Sequence, residues 1–310
     1  KRHVGPAQPG RPHVDRHLAA AAAFRQQVAA KRADAGMTAD GLALSTWRTP
    51  PVPGGPGPVV LIHGLSDHSR SEPYTRLGAF LAERGFEVFA FDRRGSGLSP
   101  GLPNYAASWA VLRDDLSRFV DLVEDQSGAL PALVGLSFGG LSILDFALHQ
   151  PQSLRAAVVM APALDVSGAS PLLRRLLPLL AKLLPRLGVD PGLDDESLCR
   201  DPGTRRSYRD DPLWRPLTTP ALAAAALDTI DRIRRHAPHI ETPLLVLHGT
   251  ADRVVPIGGT RDVFPRLGSP DKTFVEIEGA LHALPIEPEG DAVAERIATW
   301  LPARLAFRAD

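Results

Sequence analysis

The chain has 310 residues, 44% hydrophobic and 23% charged, enough for one large α/β domain with an insertion. Its 35 basic side chains balance 35 acidic ones, which removes any electrostatic case for nucleic-acid binding. The single cysteine, Cys199, excludes an intramolecular disulfide, and no apolar run reaches the length of a membrane span. Residues 1–16 are Pro, Gly, His and Arg with little apolar content and predict a mobile arm; Leu18–Ala33 has a helix-forming composition. Leu42–Thr49 predicts a strand, followed by the turn-rich link "PPVPGGPGP". Val59–His63 and Phe86–Asp92 predict buried strands, with an amphipathic helix from about Tyr74 to Arg84 between them. A helix from about Ser108 to Val123 leads to a strand over Leu130–Val134 and a helix over Phe138–Leu148. Leu154–Met160, Pro243–His248 and Lys272–Ile277 continue the strand series, and a final helix runs from about Asp291 to Phe307.

Strands alternating with helices predict an α/β fold with a mainly parallel central sheet covered on both faces. Between Asp165 and His239 the alternation stops and the chain turns helix-like, rich in Leu and Pro. An insertion of about seventy residues between two core strands predicts a helical cap over the strand ends, where open α/β sheets bind ligands. The expected organisation is an N-terminal arm and helix (1–40), a core (41–164 and 240–310) and a helical cap or lid (165–239).

In "ALVGLSFGGLSILDFAL" one polar residue, Ser137, stands between Gly135 and Gly139 where the predicted strand meets the predicted helix. A strand that bends sharply into a helix brings backbone against backbone, so glycine suits the positions two before and two after the apex. The apex residue is strained and its side chain exposed, which makes G-x-S-x-G in this setting a nucleophile elbow. The plainer alternative is a turn that contains a serine. A serine hydroxyl needs a base, and the base needs an acid that fixes its tautomer. Among ten histidines, His282 lies in a loop between the last predicted strand and the last helix, at the same sheet edge as Ser137. His236 and His239 precede a strand, and His63 and His248 are followed directly by glycine, which suits turn-shaping. Asp252 follows the Pro243–His248 strand in "HGTADRVVP" and is the expected acid, the alternative being a helix cap; Asp228, Asp231 and Glu278 are worse placed. The expected oxyanion donors are the backbone N–H of Phe138, after the nucleophile, and of Leu65 in "HGLSDHS", with Ser66 and His68 as loop-stabilising hydrogen-bonders. "FDRRGSGLSPG" lacks the spacing of a phosphate loop, and no cluster has zinc-ligand spacing.

The stretches "LIHGLSDHS", "VFAFDRRGSGLSPG", "LVGLSFGG", "LLVLHGTADRVVP" and "IEGALHALPIE", with "SLCRDPGTRRSYRDDPLW" from the insertion, resemble the α/β-hydrolase superfamily, and within it the monoacylglycerol lipase and lysophospholipase-like group. The resemblance spans residues 42 to 305. It implies a serine hydrolase with Ser137 as nucleophile, Asp252 as acid, His282 as base, Leu65 and Phe138 N–H groups as oxyanion hole, no cofactor and no metal. One departure is Ser96, where the group often carries histidine.

In "PLLRRLLPLLAKLLPRL" nine leucines, among them Leu176 and Leu180, fall on one helical side, with Arg174, Arg175, Lys182 and Arg186 on the other, and Pro178 and Pro185 predict a kink or break. The leucines either pack on the core, wall an acyl-chain tunnel, or meet a membrane surface. The expected partner is a small acyl ester or lipid, in a cytoplasmic protein with peripheral membrane contact; the chain begins at Lys1 rather than Met, which leaves a removed leader open, and sequence leaves the oligomeric state open as well. Two alternatives stand beside the esterase: a serine aminopeptidase of the same superfamily, whose amine-binding carboxylate would come from Asp194–Ser197, and a hydrolase-fold receptor with little turnover.

Overall fold

Short runs of Val, Leu, Ile and Phe assemble into a seven-stranded sheet in the computed structural model, which describes Phe24, residues 36–165 and residues 171–306. The arm and the helix expected over Leu18–Ala33 lie outside the described residues, apart from Phe24, whose ring meets Trp47 edge-on. In chain order the strands are β1 (Gly36–Met37), β2 (Ala43–Leu44), β3 (Thr46–Arg48), β4 (Pro58–Ile62), β5 (Glu87–Phe91), β6 (Ala132–Leu136), β7 (Ala156–Met160), β8 (Leu244–Gly249) and β9 (Lys272–Ile277). The large sheet has the order β3-β5-β4-β6-β7-β8-β9, parallel throughout except for β3, while β1 and β2 form a separate antiparallel pair.

The described helices are α1 (Glu72–Glu83), α2 (Trp109–Ser127), α3 (Phe138–His149), α4 (Pro171–Leu183), α5 (Pro202–Arg209), α6 (Pro220–His236), α7 (Gly258–Val263), α8 (Gly290–Trp300) and α9 (Pro302–Leu305). Side chains alternate across a strand, so each strand feeds two cores. Val59, Leu61, Val88, Ala90, Val134, Val158, Leu245 and Leu247 pack with Leu77 and Leu81 of α1 and Val293 and Ile297 of α8. Val60, Ile62, Phe89, Phe91, Leu133, Val159 and Val246 pack with Phe119 of α2, Leu141 and Leu144 of α3, and Ile230 and Ile233 of α6. With both faces covered, the inner parallel strands are apolar at nearly every position, Glu87 and His248 at their ends excepted, which is why they read as hydrophobic runs. This is the α/β-hydrolase arrangement expected from the sequence.

Three of the boundaries that differ from expectation have a local reason. The strand expected over Leu42–Thr49 divides at Ser45, with β2 pairing to β1 and β3 to β5, because the Ser45 N–H turns to the Ser99 hydroxyl (2.8 Å). The strand expected over Leu130–Val134 begins at Ala132, since Pro131 has no N–H to give the ladder, and it runs on to Leu136, one residue before Ser137. The last helix stops at Trp300 and restarts at Pro302, and Phe307 lies outside the described residues.

Between β7 and β8 the described residues hold α4, α5 and α6 and no strand, only an isolated antiparallel bridge between Val189 and Thr218. Helix α4 continues through Pro178 and ends two residues before Pro185, so the second proline marks its end and the first does not break it. Among the leucines whose side chains are described only Leu177 is buried; Leu172, Leu176, Leu179 and Leu183 are exposed, so packing on the core does not account for these four.

Candidate active site

The elbow is steric before it is chemical. Ser137 sits at φ 58°, ψ −115°, a region a non-glycine residue occupies only under constraint. A Cβ on Gly139 would lie 2.2 Å from the Ile62 carbonyl oxygen, and one on Gly135 would lie 2.8 Å from the Gly139 carbonyl carbon, so both flanking positions require glycine. The bend is pinned by the Ser137 N–H donating to Met160 O (2.8 Å) and by the Ser137 carbonyl accepting from Leu141 and Ala163 (3.0 and 3.1 Å). Its hydroxyl caps nothing in α3 and is left for other work.

Parallel register carries this level across the sheet. Leu136 pairs with Met160, Met160 with Leu247, and Leu247 with Val275, so the loops after β6, β8 and β9 leave one common edge. A Cβ on Gly249 would meet Ala280 O at 2.3 Å, and Ala251 N–H donates to Ala280 O, which locks the β8 and β9 loops backbone to backbone. That contact brings Asp252 and His282 together: Nδ1 of His282 donates to Oδ2 of Asp252 at 2.7 Å, with both residues buried. Oδ1 of Asp252 accepts the N–H groups of Val254 and Val255, each at 2.9 Å. Burial alone would raise the Asp252 carboxyl, but His282, His248 and the Val255 N–H outweigh it and hold it well below the usual carboxylate range. With Nδ1 committed to the carboxylate, Nε2 of His282 is free to take a proton. No hydrogen bond joins Ser137 to His282 in this structure; catalytic contacts of this type tighten when substrate binds.

The N–H groups of Leu65 and Phe138 donate to no acceptor among the described residues. Phe138 opens α3, so its N–H is one of the orphan donors of a helix start, where the macrodipole also favours negative charge. The Leu65 loop is fixed by Gly64 N–H to the Tyr74 hydroxyl (2.8 Å) and by Ser66, which at φ 63° donates its hydroxyl to Leu217 O (3.1 Å). His68 pairs with Asp211 (3.0 Å); burial would lower this imidazole, but Asp211 and Asp67 raise it. Tyr208 of α5 donates to Asp67 at 3.0 Å, so the loop is stitched to residues 208–217. Ser66 and His68 therefore act as the loop-stabilising hydrogen-bonders expected.

Other expected residues fall elsewhere. His236 and His239 are exposed near the far end of α6, and Asp228, Asp231 and Glu278 are exposed. Leu176 is 44% exposed and Leu180 half-buried on α4, which packs against α6. In the Asp194–Ser197 stretch Asp194 caps Ser197 and Asp195 pairs with Arg209, while Glu196 is exposed with Arg205 3.9 Å away. Cys199 is buried, and burial pushes its thiol up to about 12.

Two residues join the cluster unforeseen. His248 places Nε2 3.2 Å from Oδ2 of Asp252 while bonding Val255 O and Thr260, so the acid has a second imidazole neighbour; its position four residues before Asp252 was the signal. Glu287, buried in an otherwise apolar stretch, accepts from Leu281 N–H (2.9 Å) and from Arg200 N–H and Nε (both 2.6 Å), holding the His282 loop against the insertion. A cavity of about 470 Å³ lies at the opposite edge of the sheet, lined by residues 51–58, Gly85, Glu87 and Leu305, and shares no residue with this cluster.

The sequence model of the serine aminopeptidase, S33, family matches residues 56–289. The chain is 30% identical over 252 residues to a monoacylglycerol lipase of Mycolicibacterium smegmatis, covering 80% of this chain and 89% of that protein. It is 29% identical over 254 residues to the human monoglyceride lipase, covering 80% and 83%. Among solved structures, a monoacylglycerol lipase of Paleococcus ferrophilus superimposes with a TM-score of 0.76 at 31% identity, covering 84% of this chain and 99% of that one. A family match over about three quarters of the chain, on a sheet whose shared edge carries Ser137, Asp252 and His282, means that this chain belongs to the serine aminopeptidase, S33, family of α/β-hydrolases, in the group that includes the monoacylglycerol lipases.

Proposed function

We propose that the chain hydrolyses monoacylglycerol-type lipid esters through an acyl-enzyme on Ser137. The observation that carries this reading is the 2.7 Å Asp252–His282 hydrogen bond, on the same sheet edge as a strained serine and two unengaged N–H groups. Nε2 of His282 takes the Ser137 proton as the hydroxyl attacks the ester carbonyl, and Asp252 stabilises the imidazolium. The N–H groups of Leu65 and Phe138 receive the oxyanion. The imidazolium then protonates the departing glycerol oxygen, and a water activated by His282 releases the fatty acid. Every proton in the cycle is carried by His282, so no cofactor enters.

A donor that acts through its backbone tolerates a change of side chain but not of amide. Leu65→Ala is expected to keep substantial turnover, whereas Leu65→Pro lowers kcat by about 10²–10³, the usual effect of losing one oxyanion donor. Circular dichroism checks that the proline variant folds, and equal kcat in a folded Leu65→Pro enzyme removes Leu65 from the site.

Residues 165–239 are assigned as the cap, with α6 as its base on the core and α4 as its outer part. Relatives named monoacylglycerol and monoglyceride lipases support a substrate with a single acyl chain, and the leucines of α4 suit its path and a lipid surface beyond it. If Leu176 and Leu180 line that path, kcat/KM rises with acyl length, because each buried methylene is worth up to about 0.8 kcal/mol before ordering costs are deducted. Leu176→Asp with Leu180→Asp is expected to shift preference toward short chains and leave acetate-ester turnover comparatively intact. Arg175→Glu with Arg186→Glu is expected to spare soluble esters and weaken activity on anionic vesicles. Measuring kcat/KM over a series of acyl lengths in the parent and both double variants tests the reading, and a flat parental profile removes its lipid component. The aminopeptidase alternative would draw on Asp194, Asp195 and Glu196, which here face Ser197, Arg209 and Arg205 at the surface, and comparing aminoacyl amides with monoacylglycerols as substrates tells the two readings apart.

A further inference from the structure

Arg93 is 5% exposed, makes no salt bridge with a carboxylate among the described residues, and leaves its Nε without a hydrogen-bond partner. Asp67 and Asp92 stand near enough to favour its charge but do not pair with it directly, and a buried cation without a direct ion pair is costly, so its presence asks for a reason. Nη2 of Arg93 donates to the Gly64 carbonyl oxygen at 2.6 Å. That oxygen belongs to the same amide as the N–H of Leu65. Its guanidinium carbon also stands 4.4 Å over the Phe138 ring, whose other neighbour is Trp109 at 4.8 Å. One guanidinium therefore touches the Gly64–Leu65 peptide at its oxygen and the ring of Phe138.

We propose that Arg93 is a positioning residue that polarises the Gly64–Leu65 peptide and makes Leu65 N–H a stronger oxyanion donor. This rests on the hydrolase reading above. A peptide is one conjugated unit, so a charged donor on its oxygen draws electron density from nitrogen and leaves the N–H more positive. Charge-assisted bonds are the short, strong ones, and burial keeps the effect from being screened by water. The second donor to this carbonyl, Nδ1–H of His63 (2.9 Å), is neutral: Nε2 of His63 accepts the Arg93 N–H (2.9 Å), which assigns the only ring proton to Nδ1. Burial and the nearby Arg93 hold the His63 imidazole well below its ordinary value. Burial lowers Arg93 itself to about 10, and it remains a cation at neutral pH. The positive charge on this carbonyl thus comes from Arg93.

The test compares the parent, Arg93→Gln and Arg93→Lys on a soluble p-nitrophenyl ester and with a trifluoromethyl ketone, whose adduct with Ser137 carries the same oxyanion. Arg93→Gln is expected to lower kcat by about tenfold, less than removal of the donor itself, with KM within about twofold. The inhibition constant of the ketone rises by the same factor, and Arg93→Lys recovers part of both. A role confined to packing would change the melting temperature without this parallel. A folded Arg93→Gln enzyme with parental kcat, or a loss of kcat with an unchanged inhibition constant, overturns the proposal. Should Arg93→Gln misfold, Arg93→Lys carries the comparison, and misfolding of both marks Arg93 as a structural prop and also overturns it. An inactive parent, or a fully active Ser137→Ala control, defeats the hydrolase reading itself; an active parent with unaffected Arg93 variants defeats only this inference.

Discussion

Ser137→Ala and His282→Ala each lower kcat for a soluble ester by on the order of 10⁶, as single losses from a nucleophile–base unit do. The fold survives both changes. The Ser137 hydroxyl caps nothing in its helix, and the elbow is held by backbone bonds to Met160, Leu141 and Ala163 that alanine keeps. Loss of the His282 ring leaves Asp252 still bonded to Val254, Val255 and His248. A double variant is no slower than either single one, because each alone disables the same step. Strain offers an independent check on the elbow: Ser137→Gly unfolds at a higher temperature than Ser137→Ala, glycine being free of roughly 1–3 kcal/mol of backbone strain. Turnover near the parental rate in Ser137→Ala, measured with a monoacylglycerol, would move the nucleophile elsewhere.

Asp252→Asn lowers kcat by about 10⁴, and the geometry says why. The N–H groups of Val254 and Val255 require an oxygen at the Oδ1 position, so the asparagine amide must turn its NH₂ toward His282. That NH₂ is a donor, and it forces Nδ1 of His282 to accept. The ring proton then moves to Nε2, where a general base needs a lone pair. Asp252→Ala leaves the tautomer unforced and the ring loosely held, so the two variants separate orientation from charge. The pH dependence follows from the depressed Asp252 carboxyl. Its contribution to stability is fully present above the ordinary carboxylate range and is lost only as the pH falls through the lower folded value. Asp252 therefore stays ionised through the ordinary carboxylate range, and comparing the stability of the parent and Asp252→Asn across pH checks this: the difference is constant above that range and shrinks only as the pH falls below it. A mild effect of Asp252→Asn would place the acid elsewhere.

Much of this site was legible because it rests on local rules. Gly135 and Gly139 are readable as sterics, and the strand order places the loops after β6, β8 and β9 on one edge, so Ser137, Asp252 and His282 could be proposed from spacing alone. Strand limits were readable to within two residues, and the shift at Pro131 and the break at Pro302 both follow from a missing N–H. What escaped was long-range. His248 reads as an apolar strand ending in a turn until the loop folds Asp252 back over it. Glu287 meets Arg200 across 87 residues of sequence. Arg93 lies in a stretch for which the sequence only argues against a phosphate loop, and its bearing on Leu65 exists only through the carbonyl of Gly64. The leucines of α4 show the opposite limit. Their periodicity announced a face, but periodicity carries no information about whether core, ligand or solvent lies against it.

The stitching between the insertion and the core is uneven. Residues 198–217 are tied down by Arg200 to Glu287, Ala283 N–H to Leu198 O, Tyr208 to Asp67, His68 to Asp211 and Ser66 to Leu217. Helix α4 instead rests on α6 and shows most of its leucines outward. For anyone redesigning the protein, this divides the insertion into a part that is welded to the reaction loops and a part that behaves as an exchangeable cartridge. Swapping residues 171–187 between relatives leaves the contacts around Leu65 and His282 untouched, whereas a splice placed anywhere within 198–217 cuts through them.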